Sequence, residues 1–146
     1  MREYKIFILV IFLGFAIVSE AQKKPSKKGK INTQSQKLSD RDKLNYEMAF
    51  FNGLRQKALG NLQLATDDFL KCIRLDGTNA APMYELALIY YGLSQYTDAL
   101  FFIQSACEIE AKNIWYQQLL AKTYLSNQKY KSAILTYRKL LKEQPG

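Results

Sequence analysis

The residues able to do chemistry in this chain are few, and their types exclude most enzymatic reactions. The 146-residue sequence contains no histidine, which removes the commonest general base, His-dependent nucleophile triads and most zinc sites. It contains no glycine-rich phosphate loop and no Gly-x-Ser-x-Gly elbow. The carboxylate pairs at 67–68 and 108/110 fall on outward faces of predicted helices. We therefore expect a protein that is not an enzyme, with no catalytic residue, cofactor, metal or small-molecule substrate.

The two cysteines, Cys72 and Cys107, are predicted to be small core residues. Both fall on predicted helices among apolar neighbours. Packed helices lie about 8–10 Å apart, whereas a disulfide needs Cα atoms about 4.4–6.8 Å apart. No Cys-x-x-Cys spacing is present, so a buried, weakly polar role is favoured over a bridge.

The first 21 residues have the pattern of a secretory signal peptide. Arg2 and Lys5 precede 13 uncharged residues, 6–18, and the small residues Ser19 and Ala21 then precede a predicted cleavage point. A membrane span needs about 20 apolar residues, so this run is too short to serve as an anchor. We expect cleavage after Ala21, an exported mature chain in the periplasm or cell envelope, and no transmembrane helix in it.

Composition and charge separate a short tail from one globular domain. Hydrophobic residues make up 48% of the chain, too many for a wholly disordered protein. The formal charge is +8, and five of the lysines lie between residues 22 and 30. From residue 31 onward the chain has 14 basic and 11 acidic residues, so most of the excess positive charge lies before residue 31. Residues 22–39 are therefore predicted to be a basic disordered linker. The alternative is a polybasic arm for an anionic surface; export argues against nucleic acid as a partner.

The chain after the linker repeats itself every 34 residues, in units 46–79, 80–113 and 114–146. Apolar residues spaced three and four apart predict two amphipathic helices in each unit, over 40–59, 62–75, 82–93, 96–109, 114–126 and 130–142. Ser39 suits an N-cap, and Pro82 suits a first helical turn. Small residues recur at the eighth and twentieth places, where paired helices must approach closely. They are Gly53, Ala87, Ala121, Ala65, Ala99 and Ala133.

These units resemble the tetratricopeptide repeat, a 34-residue helix–turn–helix unit. The matches are Gly53, the three Ala at the twentieth place, Phe69, Leu86, Tyr90, Ala106, Tyr124 and Pro145. The departures are Asn52, Gln56, Gly77, Ala111 and Leu140. The resemblance covers residues 46–146 and implies an all-α fold, an α-solenoid of three tetratricopeptide repeats. Together with the signal peptide, it is similar to the N-terminal part of longer exported tetratricopeptide proteins of Bacteroidota.

The resemblance also implies a function. In that family the second, fifth, ninth and twelfth places of each unit point into a concave groove that binds a segment of another protein. These twelve places include Glu47, Ala81 and Leu125. The nine predicted groove residues are the others: Phe50, Leu54, Lys57, Tyr84, Leu88, Tyr91, Trp115, Gln118 and Lys122. Phe50 and Leu54 stand where some members carry the Lys and Asn of a clamp for a peptide's C-terminal carboxylate, so that clamp is not carried over.

The resemblance therefore implies an exported protein-interaction scaffold with an aromatic and aliphatic groove, since Trp and Tyr favour interfaces. Two alternatives stay open. The same side chains could pack against further helices of a longer parent chain. The protein could also be an envelope-associated factor that contacts peptidoglycan or a membrane surface through its Lys-rich tail.

The last predicted helix carries apolar residues typical of a core, although stacked repeats end in a polar capping face. These residues are Ile134, Leu140 and Leu141. We expect them to be partly uncovered in residues 22–146, which would then self-associate or melt early unless a partner or an added helix covers them.

Overall fold

Residues 38–143 fold into six α-helices. The computed structural model describes these residues; the predicted signal peptide, most of the predicted linker and residues 144–146 lie outside the described range. The helices are α1 (Asp40–Ala58), α2 (Leu62–Leu75), α3 (Ala81–Gly92), α4 (Tyr96–Ile109), α5 (Ile114–Ser126) and α6 (Tyr130–Glu143). Every end lies within one residue of its predicted position, so the predicted helices are confirmed.

Side-chain caps explain where two of the helices begin. The Ser39 hydroxyl accepts a hydrogen bond from the backbone N–H of Asp42 at 3.1 Å, which confirms the predicted N-cap of α1 and satisfies one of its free donors. Asn113 caps α5 by accepting from the backbone N–H of Trp115 at 3.1 Å. Pro82 lies in the first turn of α3, as predicted, where its missing N–H costs nothing.

The turns inside the three hairpins share one backbone conformation. The fifteenth place of each unit has a positive φ: 81° at Gly60, 60° at Ser94 and 59° at Gln128. Glycine adopts this left-handed conformation freely, whereas L-residues with a Cβ do so at a cost of about 1–2 kcal/mol. The turns thus repeat geometrically even where the residue type changes.

The helices form three antiparallel hairpins that stack in chain order. The pairs α1–α2, α3–α4 and α5–α6 pack most extensively, and α2 and α4 each pack on the first helix of the next hairpin. The small residues predicted at the crossings are buried. At the crossing of α1 and α2, a Cβ added to Gly53 would lie 2.8 Å from Cε1 of Phe69. The repeated small residues therefore set how closely the paired helices approach.

Two buried clusters hold the stack together. The first joins α2 to α3 through Ala65, Phe69, Leu86 and Ile89. The second is larger and joins the second and third hairpins. Its members are Ala80, Met83, Ala87, Leu100, Ile103, Ala106, Cys107, Tyr116, Leu119 and Leu120. Both cysteines are free and buried, which confirms that they are core residues.

The prediction for the end of α6 is right for two residues and wrong for the third. Ile134 and Leu141 are exposed, but Leu140 is buried. Leu140 stands at the twenty-seventh place of its unit, where Cys72 and Ala106 are also buried. That place faces the helix's own hairpin, since the Cys72 thiol donates to the backbone carbonyl of Tyr46 on α1 at 3.6 Å. Leu140 thus needs no further helix to cover it.

Candidate partner-binding face

The first helices of the three hairpins are joined to one another by side-chain contacts. We call the surface formed by the nine predicted groove residues on α1, α3 and α5 the first-helix face. The Lys57 ammonium pairs with the Glu85 carboxylate, which ties α1 to α3. The rings of Tyr84 and Tyr116 lie 4.8 Å apart between centroids, which ties α3 to α5. Two of the predicted groove residues, Lys57 and Tyr84, are therefore already in contact with other residues of the protein.

The α1 part of this face serves mainly to pack the first hairpin. Phe50 and Leu54 are half-buried against the first cluster. The Phe50 ring stacks on Tyr46 at 6.1 Å and meets Phe69 edge-on at 5.8 Å. Lys57 is half-buried, and Glu85 balances its charge. A partner would therefore find little free apolar surface and little net charge here.

The α3 part is likewise half-buried. Tyr84, Leu88 and Tyr91 all pack against the second cluster, and the Tyr91 hydroxyl accepts a hydrogen bond from the Ser126 hydroxyl at 3.3 Å. Burial, with a smaller contribution from Glu85, raises the pKa of the Tyr84 hydroxyl. The Tyr84 phenol therefore stays neutral at physiological pH, and it can contribute ring surface and hydrogen bonds but no charge.

The α5 part is the open part of the first-helix face. Trp115 is 69% exposed, Lys122 is exposed and Gln118 is half-buried. These residues are three and seven positions apart, so they lie along one side of the helix. Leu125, three residues further on, is also exposed. The arrangement offers a row with an indole at one end, an ammonium near its middle and an aliphatic side chain at the other end.

The structure thus brings the nine predicted residues onto three neighbouring helices but divides them into two kinds. Six of the seven half-buried residues pack against a core cluster or pair within the protein, Gln118 is half-buried on α5, and Trp115 and Lys122 are exposed. The partners that sequence reasoning missed are Glu85, Tyr116 and Ser126. Each of the three lies on the next hairpin from the residue it contacts, so periodicity within one unit gives no signal for these pairs.

Two further properties concern the whole described range. No helix between residues 38 and 143 is long and apolar enough to cross a membrane. Over the same range, no three His, Cys, Asp or Glu side chains are grouped so that they could hold a metal ion.

Comparison with known sequences identifies the repeat in the third hairpin. The sequence profile of the tetratricopeptide repeat family matches residues 116–146, which lie within the predicted third unit. No curated protein sequence matches the chain.

Comparison with solved structures shows the fold. The TPR domain of Arabidopsis OM64 is similar with a TM-score of 0.65 at 20% identity, over 71% of this chain and 86% of that one. The second TPR domain of human RPAP3, in complex with an HSP70 peptide, gives 0.66 at 17% identity, over 72% and 88%. The first TPR of Spaghetti (RPAP3), bound to an HSP90 peptide, gives 0.65 at 17%, over 70% and 82%. Residues 38–143 form an all-α solenoid of helix–turn–helix repeats with the tetratricopeptide fold, as predicted.

Proposed function

We propose that this protein is an exported interaction scaffold that binds a segment of another protein on the α5 part of the first-helix face. The observation that carries this proposal is the exposure of Trp115 in a row with Lys122 and Leu125. Leaving an indole in water forgoes a large hydrophobic stabilisation. Trp is also the residue type most enriched among side chains that dominate binding energy.

The charges on this face favour a partner segment of mixed character. Lys57 is neutralised by Glu85, whereas Lys122 is exposed two helical turns from Trp115. The matching segment places an aromatic or aliphatic side chain on the indole and a carboxylate near the Lys122 ammonium. The two RPAP3 domains with this fold are complexed with peptides, which supports peptide binding as a use of the architecture. Their sequences are too different to transfer the residues that hold the peptide.

Export is part of the proposal and rests on the N-terminal sequence. The basic start, the short apolar run and the small residues before residue 22 are typical of a cleaved signal peptide. We propose that the mature chain begins at Gln22 and works in the periplasm or cell envelope of a bacterium of the Bacteroidota, whose exported proteins its N-terminal sequence resembles. The intact mass of the protein purified from its native cells tests this: loss of residues 1–21 supports it, and an uncleaved chain contradicts it.

The binding site can be tested with a matched pair of aromatic substitutions. Trp115→Ala removes the exposed indole of the first-helix face, and Phe101→Ala removes an exposed ring of α4, which is 62% exposed. Tyr84 is less suitable because its ring packs on Tyr116, so a combined Tyr84→Ala and Trp115→Ala variant would also lose stability. Each single variant, tagged, is used to isolate bound proteins from an envelope extract.

We expect Trp115→Ala to lower the recovery of the specific partner by about tenfold or more, the range for a central Trp, and Phe101→Ala to leave it near wild type. Equal recovery by both variants would mean that the partner binds elsewhere. A further variant lacking residues 22–30 tests the Lys-rich tail: association with the membrane or peptidoglycan fraction that depends on this segment would favour the surface-associated alternative.

A further inference from the structure

The outer face of α6 is the uncovered counterpart of a face that is covered one hairpin earlier. Ile134 and Leu141 stand 34 residues after Leu100 and Cys107. Leu100 is 6% exposed and Cys107 8%, because both lie in a cluster with Tyr116 and other residues of α5. Ile134 is 50% exposed and Leu141 74%. Among the described residues, no helix takes the place on α6 that α5 takes on α4.

Two contacts show how α4 holds its covering helix. The Gln104 side-chain amide donates to the Tyr124 hydroxyl at 3.0 Å. The Asn127 side-chain amide donates to the backbone carbonyl of Tyr96 at 2.7 Å. The first contact joins the side of α4 to α5, and the second joins the C-terminal end of α5 to the first residue of α4. Together they fix the position of α5 along α4. On α6 the position that corresponds to Gln104 is Arg138.

The open face differs from its covered counterpart in charge. Lys131, Arg138 and Lys142 stand where α4 has Thr97, Gln104 and Glu108. All three cationic residues are exposed, and they lie beside Ile134 and Leu141 at the spacing of one helix side. The neighbouring Lys139 has a local acidic partner, its ammonium being 3.9 Å from the Glu143 carboxylate. An apolar seam with a cationic border fits a helix that carries carboxylates beside its apolar side.

A second copy of this chain does not offer such a helix. The helix that would stack on α6 in the same frame is α1, where Gln56 stands at the place of Tyr124. This pairing would therefore bring a neutral amide to Arg138, in place of the carboxylate that the cationic border favours.

We propose that the open face of α6 binds an amphipathic, carboxylate-bearing helix of another protein, in the position that α5 takes on α4. This surface is separate from the first-helix face, so it gives the scaffold a second binding site. The occupant places apolar side chains on Ile134 and Leu141, and a carboxylate at the position of Tyr124 reaches Arg138.

The helix that already fits this geometry, α5, supplies the probe. Two synthetic peptides of residues 111–129 are compared, one with Tyr124→Glu and one with Tyr124→Lys, and each is titrated into the full chain by fluorescence anisotropy. We expect the Glu peptide to bind at least about tenfold more tightly than the Lys peptide, a difference of about 1.4 kcal/mol. Added salt should weaken the Glu peptide in particular, because surface ion pairs are screened.

Variants of the protein decide between the possible explanations. Arg138→Glu should reverse the preference between the two peptides. Ile134→Ser with Leu141→Ser should abolish binding of both; these residues are exposed, and circular dichroism verifies that the helices remain. Trp115→Ala should leave peptide binding unchanged, so that a failure of this proposal is distinguishable from a failure of the proposed function.

Three results would overturn the proposal. The first is binding of neither peptide. The second is equal binding of both peptides that is insensitive to Arg138→Glu, because the face would then accept any apolar helix. The third is a dimer seen by light scattering that Ile134→Ser with Leu141→Ser dissociates, because a second copy would then occupy the face.

Discussion

Replacing Gly53 by alanine tests the close crossing of α1 and α2. The new Cβ would lie 2.8 Å from Cε1 and 3.0 Å from Cδ1 of the Phe69 ring. That ring is fully buried and meets Phe50 edge-on, so it cannot turn away without disturbing the core. Overpacking of this kind costs about 1–3 kcal/mol. Against it stands the higher helix propensity of alanine, which contributes about 1 kcal/mol.

A second glycine separates these two effects. Gly92 ends α3 and has no atom within 4 Å of an added Cβ, so Gly92→Ala gains propensity without a steric cost. We expect Gly53→Ala to be less stable than Gly92→Ala by about 1–3 kcal/mol, the overpacking cost alone. Urea unfolding followed by circular dichroism measures this difference. In thermal unfolding it corresponds to about 4–8 °C for each kcal/mol in a domain of this size.

The Phe69 ring should account for most of the penalty. In a Phe69→Leu background, Gly53→Ala should cost less, because Cε1 and Cζ are gone and only the Leu Cδ methyl groups remain near the new Cβ. Equal stability of Gly53→Ala and Gly92→Ala, or an equal cost of Gly53→Ala with and without the ring, would refute overpacking against Phe69.

Three further perturbations follow from the same structure. Ala99→Leu, at a fully buried crossing of the second hairpin, should lower the free energy of unfolding by about 1–3 kcal/mol; unchanged thermal unfolding would refute the register. Ser94→Gly should raise stability by up to about 1 kcal/mol, because it relieves a positive φ of 60°; a destabilised variant in urea would contradict this. Burial raises the pKa of the Cys72 and Cys107 thiols from 9.0 to about 11. The unfolded chain therefore loses these protons first, and urea unfolding should become easier as pH rises from 9 to 11. Replacing both cysteines by alanine should make this decline shallower, and an equally steep decline would contradict the assignment.

The helices could be predicted from the sequence because each one depends on local information. Apolar spacing, a cap such as Ser39 and the recurring small residues all act within one hairpin, and the structure agrees with them to within one residue. The burial of Leu140 can also be predicted from the repeat, because Leu140 shares the twenty-seventh place of the unit with Cys72 and Ala106, which are buried. The twenty-eighth place is covered by the next hairpin. Cys107 at that place is therefore buried under the third hairpin, whereas Leu141 at the same place of the third unit is exposed.

The division of the first-helix face could not be predicted in the same way. Whether Lys57 is free or paired depends on Glu85, and whether Tyr84 is open depends on Tyr116. Both contacts depend on the rotation of one hairpin against the next. That rotation results from the sum of many packing contacts and has no signature in the spacing of residues within a unit. The sequence therefore predicts which helices carry the face, and the structure shows where on it a partner finds free surface.

Site-specific photo-crosslinking tests the central claim most directly. A photoreactive phenylalanine analogue is placed at Trp115 in one variant and at Phe101 in another, and both are irradiated in the native cell envelope. Both side chains are exposed aromatics, so the two sites are matched in accessibility. We expect a discrete crosslinked protein from position 115 that is absent from position 101. The same products from both positions, or a product from position 101 alone, would contradict binding at the first-helix face.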